Sequence, residues 1–283
     1  MNGQRGIAFH RSSAGANRSS SGKFISTLVA RLTRNPILKV LSSIRAHRVR
    51  ALLMGGQACV FYGAAEFSRD TDLAILASSE NLARLNQALK DLQAEVIAVP
   101  PFEARYLRKG HAVHFRCRHA EALGMRVDVM TKMRGVDPFP KLWTRRTTVS
   151  VHDSTIELMS LPDLVQAKKT QHDKDWPMLR RLVEVSYFAN SENPTRQQVH
   201  FWFLELRTPE LLIELGVSQG RLPTQLIRKR PLLKLAKAGN GSLLAAALLE
   251  EEKREREADG QYWTPLKAEL ERLRHARSSQ SKR

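Results

Sequence analysis

A pair of aspartates, Asp70 and Asp72, stands at the head of the apolar run Leu73–Ala74–Ile75–Leu76. An apolar segment ending in two glycines, Ala51–Leu52–Leu53–Met54–Gly55–Gly56, comes before it. Side chains alternate along a strand, so residues at i and i+2 face the same side. Two carboxylates on one face repel unless a positive charge stands between them. A divalent cation is the natural partner, and Mg²⁺ takes carboxylates together with substrate phosphate oxygens. A glycine turn opening a helix offers backbone N–H groups to phosphate. Gly55 and Gly56 are therefore the expected second half of a metal-and-phosphate site.

A site of this kind often uses a third acid, as a ligand or as a base on an attacking hydroxyl. Asp128, within Arg126–Val127–Asp128–Val129–Met130, is the best candidate. Alternation sets it on the face opposite Val127 and Val129, and a lone Asp inside a strand is disfavoured unless it has a task. The plainer account is a surface Asp on an edge strand. Phosphate chemistry also needs cations, and Lys168 and Lys174 follow further on. A helix running through Lys168 would share its face with His172 at i+4. A solvated helix face is the plainer account of either lysine.

The spacing predicts a helix over 37–50 with Ile37, Leu38, Val40, Leu41 and Ile44 on one side, then a short helix from Gln57 to Tyr62 ended by Gly63. Strands are expected over Asp72–Leu76, Glu95–Val99, Ala112–Cys117, Arg126–Met130, Thr147–Val151 and Thr155–Leu158. A helix capped by Ser78 or Ser79 lies between the first two. Mixed strands and helices make 37–160 an α/β or α+β domain. From Leu161–Pro162–Asp163 the chain reads as helical, with Pro162 in a first turn, a second helix from about Trp176 to Phe188, and a basic remainder to 283. The charge run Glu250–Glu257 reads as a solvated helix, and the tail after Leu273 as frayed.

Charge narrows the partner. The net charge is +18, which points to a polyanion, most often nucleic acid. Residues 1–36 are rich in Arg, Ser and Gly, and the first acidic residue is Glu66. Such a start suits a disordered basic arm against RNA and also an organellar transit peptide, but lacks the apolar stretch of a secretory signal. No run is long and apolar enough for a membrane helix. Cys59 and Cys117 stand apart without a CxxC or His pattern, so they read as small core residues of a reducing, cytoplasmic compartment rather than zinc ligands.

Taken together, Gly55–Gly56–Gln57–Ala58, Tyr62–Gly63 and Ser68–Arg69–Asp70–Thr71–Asp72–Leu73, with Asp128 on a later strand, resemble the nucleotidyltransferase superfamily with a polymerase-beta-type core. Within it the chain looks most like the AbiEii-like toxin family of bacterial defence systems. Leu164–Val165–Gln166–Ala167–Lys168 and Lys174–Asp175 match that family's later lysine and Lys-Asp pair by type and order. Two positions depart from the family pattern: His172 stands where it has Arg, and Met178 where it has a final Asp. The resemblance spans roughly Leu52 to Leu182. It implies a small mixed-sheet nucleotidyltransferase core followed by a mostly helical, basic C-terminal domain. It implies Mg²⁺ on Asp70, Asp72 and Asp128, catalysis by these three with Lys168, and NTP (ATP among the candidates) bound by Gly55, Gly56, Ser68, Lys168, Lys174 and Asp175. The implied reaction moves NMP onto an acceptor: RNA, with a tRNA 3′ end foremost, or a partner protein, as in antitoxin-like AMPylation. A cognate antitoxin or other regulator is a further implied partner. An inactive transferase fold serving as a binding module is the alternative from a different class.

Overall fold

The computed structural model describes residues 36–280 except 152, 153 and 221. The chain divides into two compact units, one reaching to Ala167 and including the stretch from Trp263 onward, the other Lys168–Tyr262. The domain break expected after 160 thus falls at Ala167/Lys168, and the end of the chain returns to the first unit. The basic arm expected over 1–36 lies outside the described residues save Pro36, which opens the first helix.

The first unit is built on a seven-stranded mixed sheet in the order β3-β4-β5-β2-β1-β7-β6. Its strands are β1 (Ala51–Met54), β2 (Asp70–Ile75), β3 (Glu95–Val96), β4 (Val113–Arg116), β5 (Arg126–Met130), β6 (Thr147–Val151) and β7 (Ser154–Leu158). β2 runs antiparallel to β1 and parallel to β5, and β4 runs antiparallel to β5. Across β4, β5 and β2 the pairs Val113↔Val129, Phe115↔Val127, Thr71↔Val127 and Leu73↔Val129 put one face of six residues together. All six are buried. Each apolar side chain so buried contributes about 1.5–3 kcal/mol, which forces the polar alternates of the same strands onto the other face.

Helix α1 (Pro36–Ala46) buries Ile37, Val40 and Ile44, and packs with α3 (Ser79–Asp91), where Ser43 Oγ donates to Ala88 O. It stops short of the expected residue 50 because Arg48 takes a left-handed turn into β1. Ser78 caps α3, its hydroxyl accepting from Asn81 N. β3 is only two residues long, ending before a run that leads to Pro100. Helix α4 (Ala104–Lys109) follows and is closed by Gly110, which is left-handed, ahead of β4. Cys59 and Cys117 are buried free thiols, as expected, and burial pushes Cys117 up to about 11.

The second unit is helical: α7 (Asp175–Asn190), which follows α5 (Phe139–Thr144) and α6 (Leu161–Ala167) of the first unit, then α8 (Arg196–Glu205), α9 (Pro209–Ser218), α10 (Thr224–Lys229) and α11 (Leu233–Lys237). The last helix, α12 (Gly241–Gln280), begins in the second unit and continues without a break to Gln280, so the tail expected to fray is helical as far as it is described. The charge run within α12 is only partly solvated. Glu251 is bonded by Arg207 and Arg230, both almost fully buried, and Glu252 by Arg256. No described helix is long and apolar enough to cross a membrane.

Near its end α12 presents Glu269 to the first unit's own residues. Its Oε2 lies 2.9 Å from His111 Nε2 and its Oε1 lies 2.6 Å from Lys109 Nζ. The bond to His111, then that to Lys109, holds the Glu269 carboxyl down to about 2. A carboxyl depressed in the folded state contributes stability above its ordinary range, near 4, that is lost as pH falls toward the folded value. Glu269→Gln is therefore expected to flatten the fall of the thermal unfolding midpoint between about pH 4.5 and 2, compared with wild type. Identical pH slopes for the two proteins would remove Glu269 from this role.

Candidate active site

β1 passes directly into the seven-residue helix α2 (Gly55–Phe61), so both glycines form its first turn rather than a loop before it. Met54 is extended and Gly55 turns to φ 64. A Cβ on Gly55 would stand 1.8 Å from Asp72 Oδ2, and one on Gly56 would stand 2.5 Å from Ser68 Oγ. Both contacts are far below any real Cβ approach. Besides the phosphate role expected of them, the glycines thus have a steric one: they let the Asp72 carboxylate and the Ser68 hydroxyl lie directly on the backbone.

Gln57, nearly fully buried, donates from Nε2 to Ser68 O at 2.6 Å. Ser68 Oγ in turn donates to Asp70 O at 3.3 Å. The segment leading into the Asp pair is therefore tied to α2. Ser68, expected as a phosphate donor, is used here to shape that segment.

Asp70 and Asp72 both lie within β2, on one face. Asp72 stands opposite Asp128 across the parallel β2–β5 pair, and Asp70 opposite Arg126. Directly opposed residues bring their side chains within reach of one another. His114 of β4 stands opposite Asp128 from the other side. The polar face therefore carries one row, His114–Asp128–Asp72, and a second, Arg116–Arg126–Asp70. Asp70, Asp72 and Asp128 thus lie on one face of two adjacent strands.

The face also holds its own cation. Arg126 Nε donates to Asp128 Oδ1 at 2.9 Å, and Arg126 Nη2 lies 3.0 Å from His114 Nδ1. The Asp128 hydrogen bond raises the Arg126 guanidinium above its ordinary value against the opposing effect of burial, and the charges of Asp128, Asp70 and Asp72 add to it. Arg126 and His114 were not among the expected site residues; Arg126 shares the face of Asp128 by strand alternation and could have been found so, whereas His114 reaches it only through the β4–β5 register. Among the described residues, no group of three or more His, Cys, Asp or Glu side chains converges as a ready-made metal site.

Lys168, Lys174 and Asp175 belong to the second unit. α6 ends at Ala167, so Lys168 begins a turn and does not share a helical face with His172. Its Nζ bonds Asp175 Oδ1 at 2.7 Å, and Thr170 Oγ1 donates to Asp175 Oδ2 at 2.6 Å. Burial pushes the Asp175 carboxyl up, but Lys168, Thr170 and Lys174 outweigh it and leave it below its ordinary value. Lys174 is exposed just before α7. The Lys-Asp signature in the sequence is thus matched by an ion pair, but between Lys168 and Asp175.

No family model and no curated protein matches the chain. Among solved structures, an antigenic nucleotidyltransferase-like protein from Paracoccidioides brasiliensis is similar to it at 17% identity and a TM-score of 0.36, over 75% of this chain and 92% of that one.

Proposed function

We propose that the first unit is a nucleotidyltransferase that moves NMP from an NTP to an acceptor hydroxyl and releases pyrophosphate. The observation that carries this reading is the opposition of Asp72 and Asp128, with Asp70 on the same face and Gly55 beneath the Asp72 carboxylate. Supporting Mg²⁺ is the opposition of Asp72 and Asp128 with Asp70 on the same face, since that ion is usually held by one or two carboxylates together with substrate phosphates and needs no closed protein cage. When bound by Asp70, Asp72 and Asp128, it supplies charge neutralisation of the triphosphate.

The chain's own residues divide the rest. Gly55 admits the Asp72 carboxylate, and the Gln57–Ser68 bond sets the segment that carries both aspartates. Arg126 balances the acidic face and offers a second positive charge for phosphate oxygens. Asp128 takes the proton from the attacking hydroxyl, in keeping with its place beside the Asp pair.

The acceptor in this reading is RNA, with a tRNA 3′ end foremost. A net charge of +18 supports it, since Lys and Arg contacts to a phosphate backbone give affinity without reading sequence. The likeness of the motifs to AbiEii-type toxins adds a defence role balanced by a cognate antitoxin. The deciding experiment incubates purified protein with Mg²⁺ and each labelled NTP in turn, with total tRNA or with cell lysate. Label in RNA is expected. Label confined to protein would replace the RNA acceptor with a protein one, and no label in either would overturn the transferase reading.

A further inference from the structure

His114 has no part in the motifs that suggested a transferase, yet it stands in register with Asp128 on the neighbouring strand. Its Nδ1 lies 2.8 Å from Asp128 Oδ1 and 3.0 Å from Arg126 Nη2, while Arg126 Nε lies 2.9 Å from that same Oδ1. One ring nitrogen cannot donate and accept at once. With Nδ1 protonated, His114 donates to Asp128 directly. With the proton on Nε2, it accepts from Arg126 and steadies the guanidinium that holds Asp128. In the first tautomer the hydrogen bond ends on Oδ1 itself; in the second it ends on Arg126, whose Nε holds Oδ1. His114 therefore holds Oδ1 either directly or through Arg126, and the Asp128 side chain is largely covered.

We propose that His114 is a positioning residue for Asp128: with Arg126 it clamps Oδ1, and so presents Oδ2 to the divalent cation. The inference rests on the nucleotidyltransferase reading, since it supposes that Asp128 is a metal ligand. Outer partners of a ligating carboxylate orient it and tune its affinity. A cross-strand pair serving stability alone would leave cation binding unchanged on removal.

The test uses Mn²⁺ as the probe, titrated against the full chain and followed by the electron paramagnetic resonance of the free ion. Wild type, His114→Ala, His114→Asn and Asp72→Asn are compared. The Asn amide can donate to a carboxylate or accept from a guanidinium, so it replaces either function of Nδ1. His114→Ala is expected to weaken Mn²⁺ binding about 10-fold or more, and His114→Asn to stay within about 3-fold of wild type. Unchanged binding in His114→Ala overturns the inference, as does equal loss in both His114 variants. Asp72→Asn separates the two levels. If it abolishes Mn²⁺ binding while His114→Ala does not weaken it, only the role of His114 has failed. If wild type binds no Mn²⁺, or Asp72→Asn leaves binding intact, the metal reading has failed and takes the inference with it.

Discussion

Asp72→Asn is expected to lower NMP transfer about a thousandfold or more, with the fold retained, and Asp70→Asn to behave alike. The amide has the shape of the carboxylate, so it still fits over Gly55, where no larger backbone neighbour would leave room. What it removes is negative charge from a face shared with Asp128 and Arg126. A metal ion in such a site stabilises the transition state by several kcal/mol, and a loss of about 4 kcal/mol corresponds to about three orders of magnitude in rate. The strand is held in the core by its other face. The buried partners of the strand are Thr71, Leu73, Ala74 and Ile75, and removing one of several neighbouring carboxylates relieves repulsion. Single-turnover rates at saturating Mg²⁺, with thermal unfolding as the control, check this. Near wild-type transfer in both variants would mean that these aspartates do not carry the chemistry.

Glu251→Gln is expected to destabilise the second unit by about 3–5 kcal/mol. Glu251 accepts from Arg207 Nη1 at 3.0 Å, Arg230 Nε at 3.0 Å and Arg230 Nη2 at 2.8 Å. Arg207 and Arg230 are 5% and 3% exposed, so neither guanidinium can turn to water when its partner loses charge. Burial already pulls the Arg207 guanidinium below its ordinary value, with Glu251 the largest opposing influence. Two buried cations would then face each other with only the weaker influence of Glu205 and Glu255 to offset them, and Arg207 Nε has no hydrogen-bond partner among the described residues to take up the loss. Urea unfolding followed by the fluorescence of Trp176 and Trp202, both within this unit, measures the effect. A change below about 1 kcal/mol would show that the pair behaves as an exposed one.

Burial also sorts the positive charges that lie side by side in the sequence. Arg228 and Lys229 are not buried, while Arg230, next in the chain, is buried against Glu251 and Phe203 O. A cluster that reads as one basic patch therefore splits into a surface pair and a structural cation. The charge run of α12 splits in the same way, with Glu251 turned to the buried arginines and Lys253 and Arg254 exposed. Composition cannot draw that line, because it depends on which helix face meets its neighbour.

Much of the first unit was legible from local pattern. Arg126–Met130 is a strand with the expected bounds, Ser78 caps its helix, and Asp70 and Asp72 share a face because backbone alternation has a period of two whatever surrounds the strand. Local pattern is enough for the mixed α/β core, the helical second half and the carboxylates that share a strand face. It took the folded chain to lay β5 beside β2 in a register that sets Asp128 against Asp72, to press the Asp72 carboxylate onto the backbone at Gly55, to bring His114 to the acidic face and to pair Lys168 with Asp175. The difference is one of range. Side-chain alternation and helix caps are fixed by a few neighbouring dihedrals, whereas strand order, register and ion pairing follow from burying whole apolar faces contributed by distant parts of the chain.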